Sequence, residues 1–395
     1  MQMTREVVVL SAMRSPIGAF GGSLSSMEPA ELAGTVMKEA VARSKADPEK
    51  IHYVTVGNCI PTESRYPYVA RVASIQAGLP MNSVAMAVNR LCASGLQAVV
   101  SSAQQIELGQ CDYAVGGGVE VMSRGTYMAP AMRTGARMGD TGMIDAMVSV
   151  LTDPFGAGHM GITAENLAEK WDISREEQDA FAAESQRRAE VAINEGRFKD
   201  QIVPITLKSR KGETIFDTDE HPKPGTTTEK LSGMRPAFKK DGTVTAGNAS
   251  GINDGAAFLV LADAETAKAN GETPIAKIVS YAVAGVPNHI MGEGPIPSSK
   301  AALENAGLTI DDMDVIESNE AFAAQAIAVS KGLGLPADKT NPNGGAIALG
   351  HPVGCSGAFI ATKAIHELQR TGGKYALVTM CIGGGQGIAV IFERI

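Results

Sequence analysis

Short β-branched runs alternate with stretches of helical periodicity along most of the chain. Residues 6–10 are apolar without alternation after Glu6 and read as a strand buried on both faces. Residues 30–43 read as a helix, with Leu32, Val36, Met37, Ala40 and Val41 on one face. Further strands are predicted at 53–56, 84–88 and 112–116, and helices at 68–77 and 93–108. Strands separated by helices of this length predict βαβ crossovers and a largely parallel sheet. Beyond residue 272 the scheme returns. Strands are predicted at 275–284, 314–318 and 374–380, and helices at 298–306, 323–333 and 356–370.

One register ties the two ends together. Ser94-Gly95 opens a helix and Tyr113-Ala114 starts a strand; Ser356-Gly357 and Tyr375-Ala376 do the same 262 residues later. Val99 corresponds to Ala361 and Ile106 to Leu368. Helix, strand and spacing together indicate an internal duplication. Residues 122–252 stand outside it. They hold a Met/Gly/Arg-rich stretch (122–147), a helix opened by a Ser174…Glu177 capping box and ending near Gly196, and a basic stretch. The organisation expected is therefore 1–121 plus 253–272 as one half, 122–252 as an insertion and 273–395 as the other half.

Composition narrows the function classes. The chain has 395 residues and a formal net charge of −8, which argues against a nucleic-acid partner. Residues 197–240 nevertheless carry ten Lys/Arg against six Asp/Glu, so the remainder is −12. Such a segment either receives an anionic ligand or is a solvated face of mixed charge. No apolar run approaches a membrane span, the first ten residues do not read as a secretory signal, and residues 392–395 do not read as a peroxisomal address. Five Cys, widely spread and without a CxxC pair, indicate neither a disulfide framework nor a thiolate zinc site. A reducing, cytoplasmic setting is expected.

Candidate chemistry sits where Gly, Cys and His cluster. Cys92 lies at a strand-to-helix junction followed by Ala93-Ser94-Gly95, where a helix start favours a thiolate and so an activated nucleophile. Cys59 and Cys111 lack such surroundings and read as inert. Cys381 precedes Gly383-Gly384-Gly385, a cluster that lets a ligand approach the backbone. Read as a dinucleotide loop, the same glycines lack the chain length for a βαβ unit. His351 lies in a Gly/Pro-walled loop, and the repeat places Gly354 opposite Cys92, so the two loops should meet and bring an imidazole to a thiol. Asn319, between a predicted strand and helix, reads either as an amide that holds a water or oxyanion or as an ordinary N-cap.

Taken together these segments resemble the thiolase family. Asn89-Arg-Leu-Cys92-Ala-Ser-Gly, Ser318-Asn319-Glu-Ala-Phe, Asn343-Gly-Gly-Ala-Ile-Ala-Leu-Gly-His351-Pro and Cys381-Ile-Gly-Gly-Gly look like its four catalytic blocks. The segments beginning at Thr245, His159 and Met291 match further family stretches, in the family's order and over essentially the whole chain. The resemblance implies an α/β thiolase fold: two duplicated five-layered α/β/α/β/α halves with an inserted loop domain for CoA binding and oligomerisation. It implies that Cys92 is acylated, that His351 activates it and that Cys381 moves the α-proton of acetyl-CoA. Asn319 would hold a water for the enolate oxygen, and the N–H groups of Cys92 and Gly383 would form a second oxyanion hole. Ser250, His159, Met160, Leu151, Lys223, Phe238, Ala246, Phe322 and Met291 would contact CoA or acyl groups.

The implied reaction is the reversible Claisen condensation of acetyl-CoA with acetyl- or acyl-CoA. It needs no metal or other cofactor, CoA and acyl-CoA being substrates, and the implied assembly is a homotetramer, a dimer of dimers. Cys355, where the biosynthetic pattern has Ala, and Gln386 lean toward degradative relatives with longer chains in β-oxidation; His159-Met160 leans the other way. Lys223 replaces an Arg that often meets the CoA nucleotide. Three rivals fit less well. A ketoacyl synthase would not use Cys381, a non-catalytic lipid-binding relative need not keep all four candidates, and a thiol redox sensor leaves the other blocks unexplained.

Overall fold

The structure is a computed structural model, and it describes residues 5–210 and 212–395. Nine strands form the path of one sheet: β1 (Val7–Arg14), β2 (Tyr53–Gly57), β3 (Val84–Val88), β4 (Tyr113–Val121), β5 (Asn253–Asp263), β6 (Ala276–Gly285), β7 (Val315–Ser318), β8 (Tyr375–Ile382) and β9 (Gln386–Arg394). Their order is β7-β8-β9-β6-β1-β5-β4-β2-β3, with a short strand, Gly18–Ala19, added on β5. The principal helices are α1 (Pro29–Ser44), α2 (Val69–Gln76), α3 (Ser94–Glu107), α4 (Met160–Lys170), α5 (Arg175–Asn194), α6 (Pro295–Ala306), α7 (Ala323–Leu333) and α8 (Ser356–Thr371).

The expected largely parallel sheet is corrected here. Only β7/β8, β4/β2 and β2/β3 run parallel; every pairing from β8 through β9, β6, β1 and β5 to β4 is antiparallel. The expectation missed β5 and β9. β9 returns from β8 through the Gly383–Gly385 turn, where Gly384 and Gly385 have φ of +80° and +92°. A turn that short can join only antiparallel strands. β5 comes back beside β4 after the long insertion, so no local pattern announces it.

The five layers arise once, from both halves together. α1 and α2 cover the outer face of β1, β4 and β5 in one apolar cluster. α6 covers the outer face of β7, β8 and β9 in another. Between the two parts of the sheet lie α3 and α8, packed on each other and on strands of both halves in the largest cluster. Their contact is glycine-made: a Cβ at Gly95 would lie 2.9 Å from the Cys355 carbonyl oxygen, and one at Gly357 would lie 2.5 Å from the Leu96 nitrogen. The duplication is visible in the register. Tyr53 lies opposite Ala114 and Val315 opposite Ala376, each residue 262 positions from its counterpart. α3 and α8 start at that same offset.

Residues 122–252 carry α4, α5 and a hairpin of Ile205–Ser209 with Gly212–Phe216. α5 opens with the predicted Ser174/Glu177 capping box. No described helix is long and apolar enough to cross a membrane.

Candidate active site

The nucleophile candidate sits on a strained turn. Leu91, just before Cys92, has φ +48°, a region that costs a branched side chain energy and is held by its surroundings. Asn89 Oδ1 accepts the Leu91 N–H at 2.9 Å, and Ser94 Oγ accepts the Arg90 N–H and donates to the Leu91 carbonyl. Cys92 then enters a short 3-10 turn leading into α3, and its thiol is half-buried. Burial pushes the thiol up to about 11, opposed by the backbone N–H groups of Gly383 and of Cys92 itself, which face the sulfur. The expectation of a thiolate stabilised by the helix start is therefore corrected. Loss of hydration outweighs those two donors, and the resting group is a thiol.

His351 is buried in the loop before α8. Its N–H donates to Asn253 Oδ1, and its Nδ1 lies 2.6 Å from Ser356 Oγ. That hydroxyl gives its one proton to the Pro352 carbonyl at 2.8 Å. The arrangement assigns the ring proton to Nδ1 and leaves Nε2 as a bare lone pair with no partner. Burial lowers the imidazole to about 4, so it is neutral at pH 7. Thiol and imidazole are each penalised as lone charges. A proton passing from one to the other forms both charges together, and their attraction offsets much of that cost.

Asn319 is buried after β7, and neither its amide nitrogen nor its oxygen has a partner. It is not an N-cap: that place before α7 belongs to Phe322. Two unpaired polar atoms on a buried amide suit a water or a polarised oxygen. Cys381 ends β8, fully buried, and burial raises its thiol well above the usual range, with Cys92 the next contribution. It shares an apolar cluster with Met160, Ala249, Met291, Ala321 and Phe322.

A cavity of about 330 Å³ joins Cys92, His351 and Cys381. Cys92, His351, Cys381 and Gly383 line it together with Leu151, His159, Met160, Phe238, Ala246, Ser250, Met291 and Phe322. Asn319 and Lys223 do not line it. Lys223 is exposed, two residues beyond His221, whose ring overlies the lining residue Gly251. His159 caps α4, accepting the Gly161 N–H on Nδ1, and stacks on Phe238 at 4.8 Å between ring centres. The remaining lining is apolar, so the cavity offers a dry wall and few polar points.

Two residues escaped the sequence reading. Ser356, which fixes the His351 tautomer, was visible only as a helix opener. Glu120 is a fully buried carboxylate in β4; a lone acid in the apolar run 113–121 was the signal that could have found it.

Sequence comparison decides the family. The thiolase N-terminal domain model matches residues 7–265, and the thiolase C-terminal domain model matches residues 272–394. The chain belongs to the thiolase family. It is 57% identical over 394 residues to the beta-ketothiolase BktB of Cupriavidus necator, with all of both chains covered. Among solved structures it resembles the acetyl-CoA acetyltransferase of Bacillus anthracis, at a TM-score of 0.97 and 46% identity, and human mitochondrial 3-ketoacyl-CoA thiolase, at 0.97 and 45%; both comparisons cover all of both chains.

Proposed function

We propose that this thiolase catalyses the reversible condensation of acetyl-CoA with acetyl-CoA or a short acyl-CoA, giving a 3-ketoacyl-CoA and CoA. The observation that carries the reading is the convergence of two thiols and a bare imidazole lone pair on one apolar cavity, beside two backbone donors. In the first step Cys92 Sγ attacks the thioester carbonyl while His351 Nε2 takes its proton. The C–S bond to CoA then breaks, and CoA leaves with that proton. The N–H groups of Cys92 and Gly383, already aimed at the sulfur, suit the oxyanion that forms beside it. In the second step the Cys381 thiol first passes its proton to His351, which CoA's departure has left neutral, and the resulting thiolate removes the α-proton of acetyl-CoA. Asn319, through a water shared with His351, stabilises the enolate oxygen. The enolate carbon attacks the acyl carbon on Cys92; a C–C bond forms, the C–S bond breaks, and the released Cys92 thiolate takes back the proton held on His351. A buried amide without partners supports that role for Asn319.

CoA and acyl-CoA are the substrates, and these steps call on no metal or redox cofactor. Ser250, His159, Met160, Leu151, Phe238, Ala246, Phe322 and Met291 would receive the pantetheine and acyl groups, and Lys223 the nucleotide. The insertion 122–252 would serve CoA binding and assembly. A homotetramer is supported by the exposed edge strand β3, with Val84 and Met86 outward, and by exposed Tyr127, Met132, Met138 and Met143 in the insertion. Five free thiols support a cytoplasmic setting.

The test is acetyl exchange between acetyl-CoA and CoA, together with thiolysis of acetoacetyl-CoA and of a six-carbon 3-ketoacyl-CoA. Turnover of both ketoacyl substrates with exchange supports the reading, and their ratio gives the chain-length preference. Absence of exchange refutes it.

A further inference from the structure

We propose that Glu120 is a positioning residue for this chemistry: its carboxylate clamps the loop carrying His351 to the loops that brace Cys92, and so sets the distance over which the thiol proton passes. The inference rests on the reading of Cys92 as acylated thiol and His351 as its base.

The geometry is a four-donor cradle. Oε1 accepts from Asn58 Nδ2 at 2.8 Å and the Ile60 N–H at 3.1 Å. Oε2 accepts from the Cys59 N–H at 3.0 Å and the Gly354 N–H at 2.9 Å. The first three donors belong to the loop after β2. That loop braces the nucleophile turn, since Cys59 Sγ donates to the Leu91 carbonyl at 3.2 Å and meets Ser94 Oγ at 3.1 Å. The fourth donor sits between His351 and Ser356. No other described group joins both loops through one side chain's hydrogen bonds. Gly354 has no room for anything larger: a Cβ there would lie 2.6 Å from Glu120 Oε2.

All four of these donors are N–H groups, the Cys59 thiol also lies against the carboxylate, and Asn58 Nδ2 also donates to the Val119 carbonyl, which fixes its orientation. Only an ionised carboxylate accepts all four. A proton on either oxygen would face an N–H and release that side of the clamp. Burial pushes this carboxyl up to about 7, against the pull of those donors. The titratable groups that feel it are the thiols of Cys59, Cys92 and Cys355 and the phenol of Tyr66, all uncharged at pH 7. Arg14, beyond Cys355, is engaged by Asp219. The charge on Glu120 raises the Cys92 thiol rather than lowering it. Glu120 therefore acts through position, not by activating the thiol.

The test compares wild type with Glu120→Gln, which keeps the shape, loses the charge and turns an NH2 toward N–H donors. Thiolysis of acetoacetyl-CoA is followed between about pH 6 and pH 8. The expected wild-type kcat falls on the acid side with a midpoint near 7. In E120Q, kcat at pH 8 should fall at least about tenfold, KM should stay within about twofold and the acid limb should vanish. An unchanged kcat, a KM that rises as kcat falls, or the same acid limb overturns the proposal.

A measurement on wild type alone stands beside it. Amide exchange of the 350–358 segment, corrected for the intrinsic pH effect, should be faster at about pH 6 than at about pH 8. Equal protection overturns the proposal, and this result decides if E120Q does not fold. Wild-type acetyl labelling of Cys92 in the same preparations isolates the underlying reading. Its absence would sink the site assignment itself, whereas a difference confined to E120Q speaks only of Glu120.

Discussion

The turns that open α3 and α8 are the same device used twice. Ser94 and Ser356 occupy equivalent places, and each hydroxyl donates back to a carbonyl of the loop before it, Leu91 in one half and Pro352 in the other. There the likeness ends. Ser94 spends its acceptor on the Arg90 N–H and tightens the strained turn that presents Cys92. Ser356 spends its acceptor on His351 Nδ1 and sets a tautomer. Where one half places a thiol, the other places Gly354, pressed on Glu120. A duplicated frame thus supplies two equivalent loops at one interface, and divergence in a few residues gives one the Cys92 thiol and the other the His351 imidazole, the pair proposed above as nucleophile and base. Because α3 and α8 pack on each other, the two loops face one cavity without any long excursion of the chain.

The largest effect that would break this comparison concerns the third loop, after β8. Cys381→Ala should reduce condensation by about 10³-fold, the usual scale of a lost acid/base group, while acetyl exchange falls less than about tenfold. Equal losses in both assays would mean that the two thiols are not divided between acyl carriage and proton transfer.

Next in size is the serine pair itself. Ser356→Ala should lower kcat about tenfold, the equivalent of one hydrogen bond of about 1.4 kcal/mol, with little change in thermal stability. Ser94→Ala removes the brace from a strained turn and should cost about 1–2 kcal/mol of stability in denaturant unfolding. If both variants lose stability alike and keep kcat, the functional asymmetry of the turns is wrong.

The sequence carried the frame of this comparison well and its wiring poorly. The 262-residue offset, the helix starts and the strand starts were all legible, because a repeat preserves apolar periodicity even where its loops diverge. Cys92, His351 and Cys381 stood out because Gly-rich loops around reactive side chains are unusual. β5 and β9 did not stand out: one is separated from its neighbours by the insertion, and the other is simply the return of a hairpin. The helix start beside Cys92 predicts a thiolate, and burial, a property of the packed cavity that no local spacing encodes, opposes it. Ser356 and Glu120 act by hydrogen bonds to loops distant in sequence, which no local spacing encodes.

The smallest expected effect lies at the surface. Lys223 is exposed and outside the cavity lining, so the contact with a CoA phosphate proposed for it would be a screened charge pair. Lys223→Ala should raise the KM for CoA about threefold at low ionic strength and hardly at all at about 1 M salt. A KM unchanged at both would remove Lys223 from the nucleotide contact.

The division of labour between the two turns is tested most directly by trapping the acyl group. The enzyme is incubated with radiolabelled acetyl-CoA, quenched in acid, digested and mapped. The account predicts label on the peptide containing Cys92 and none on those containing Cys381, Cys59 or Cys355. Label on any of the other thiols, or no covalent label while exchange proceeds, would contradict it.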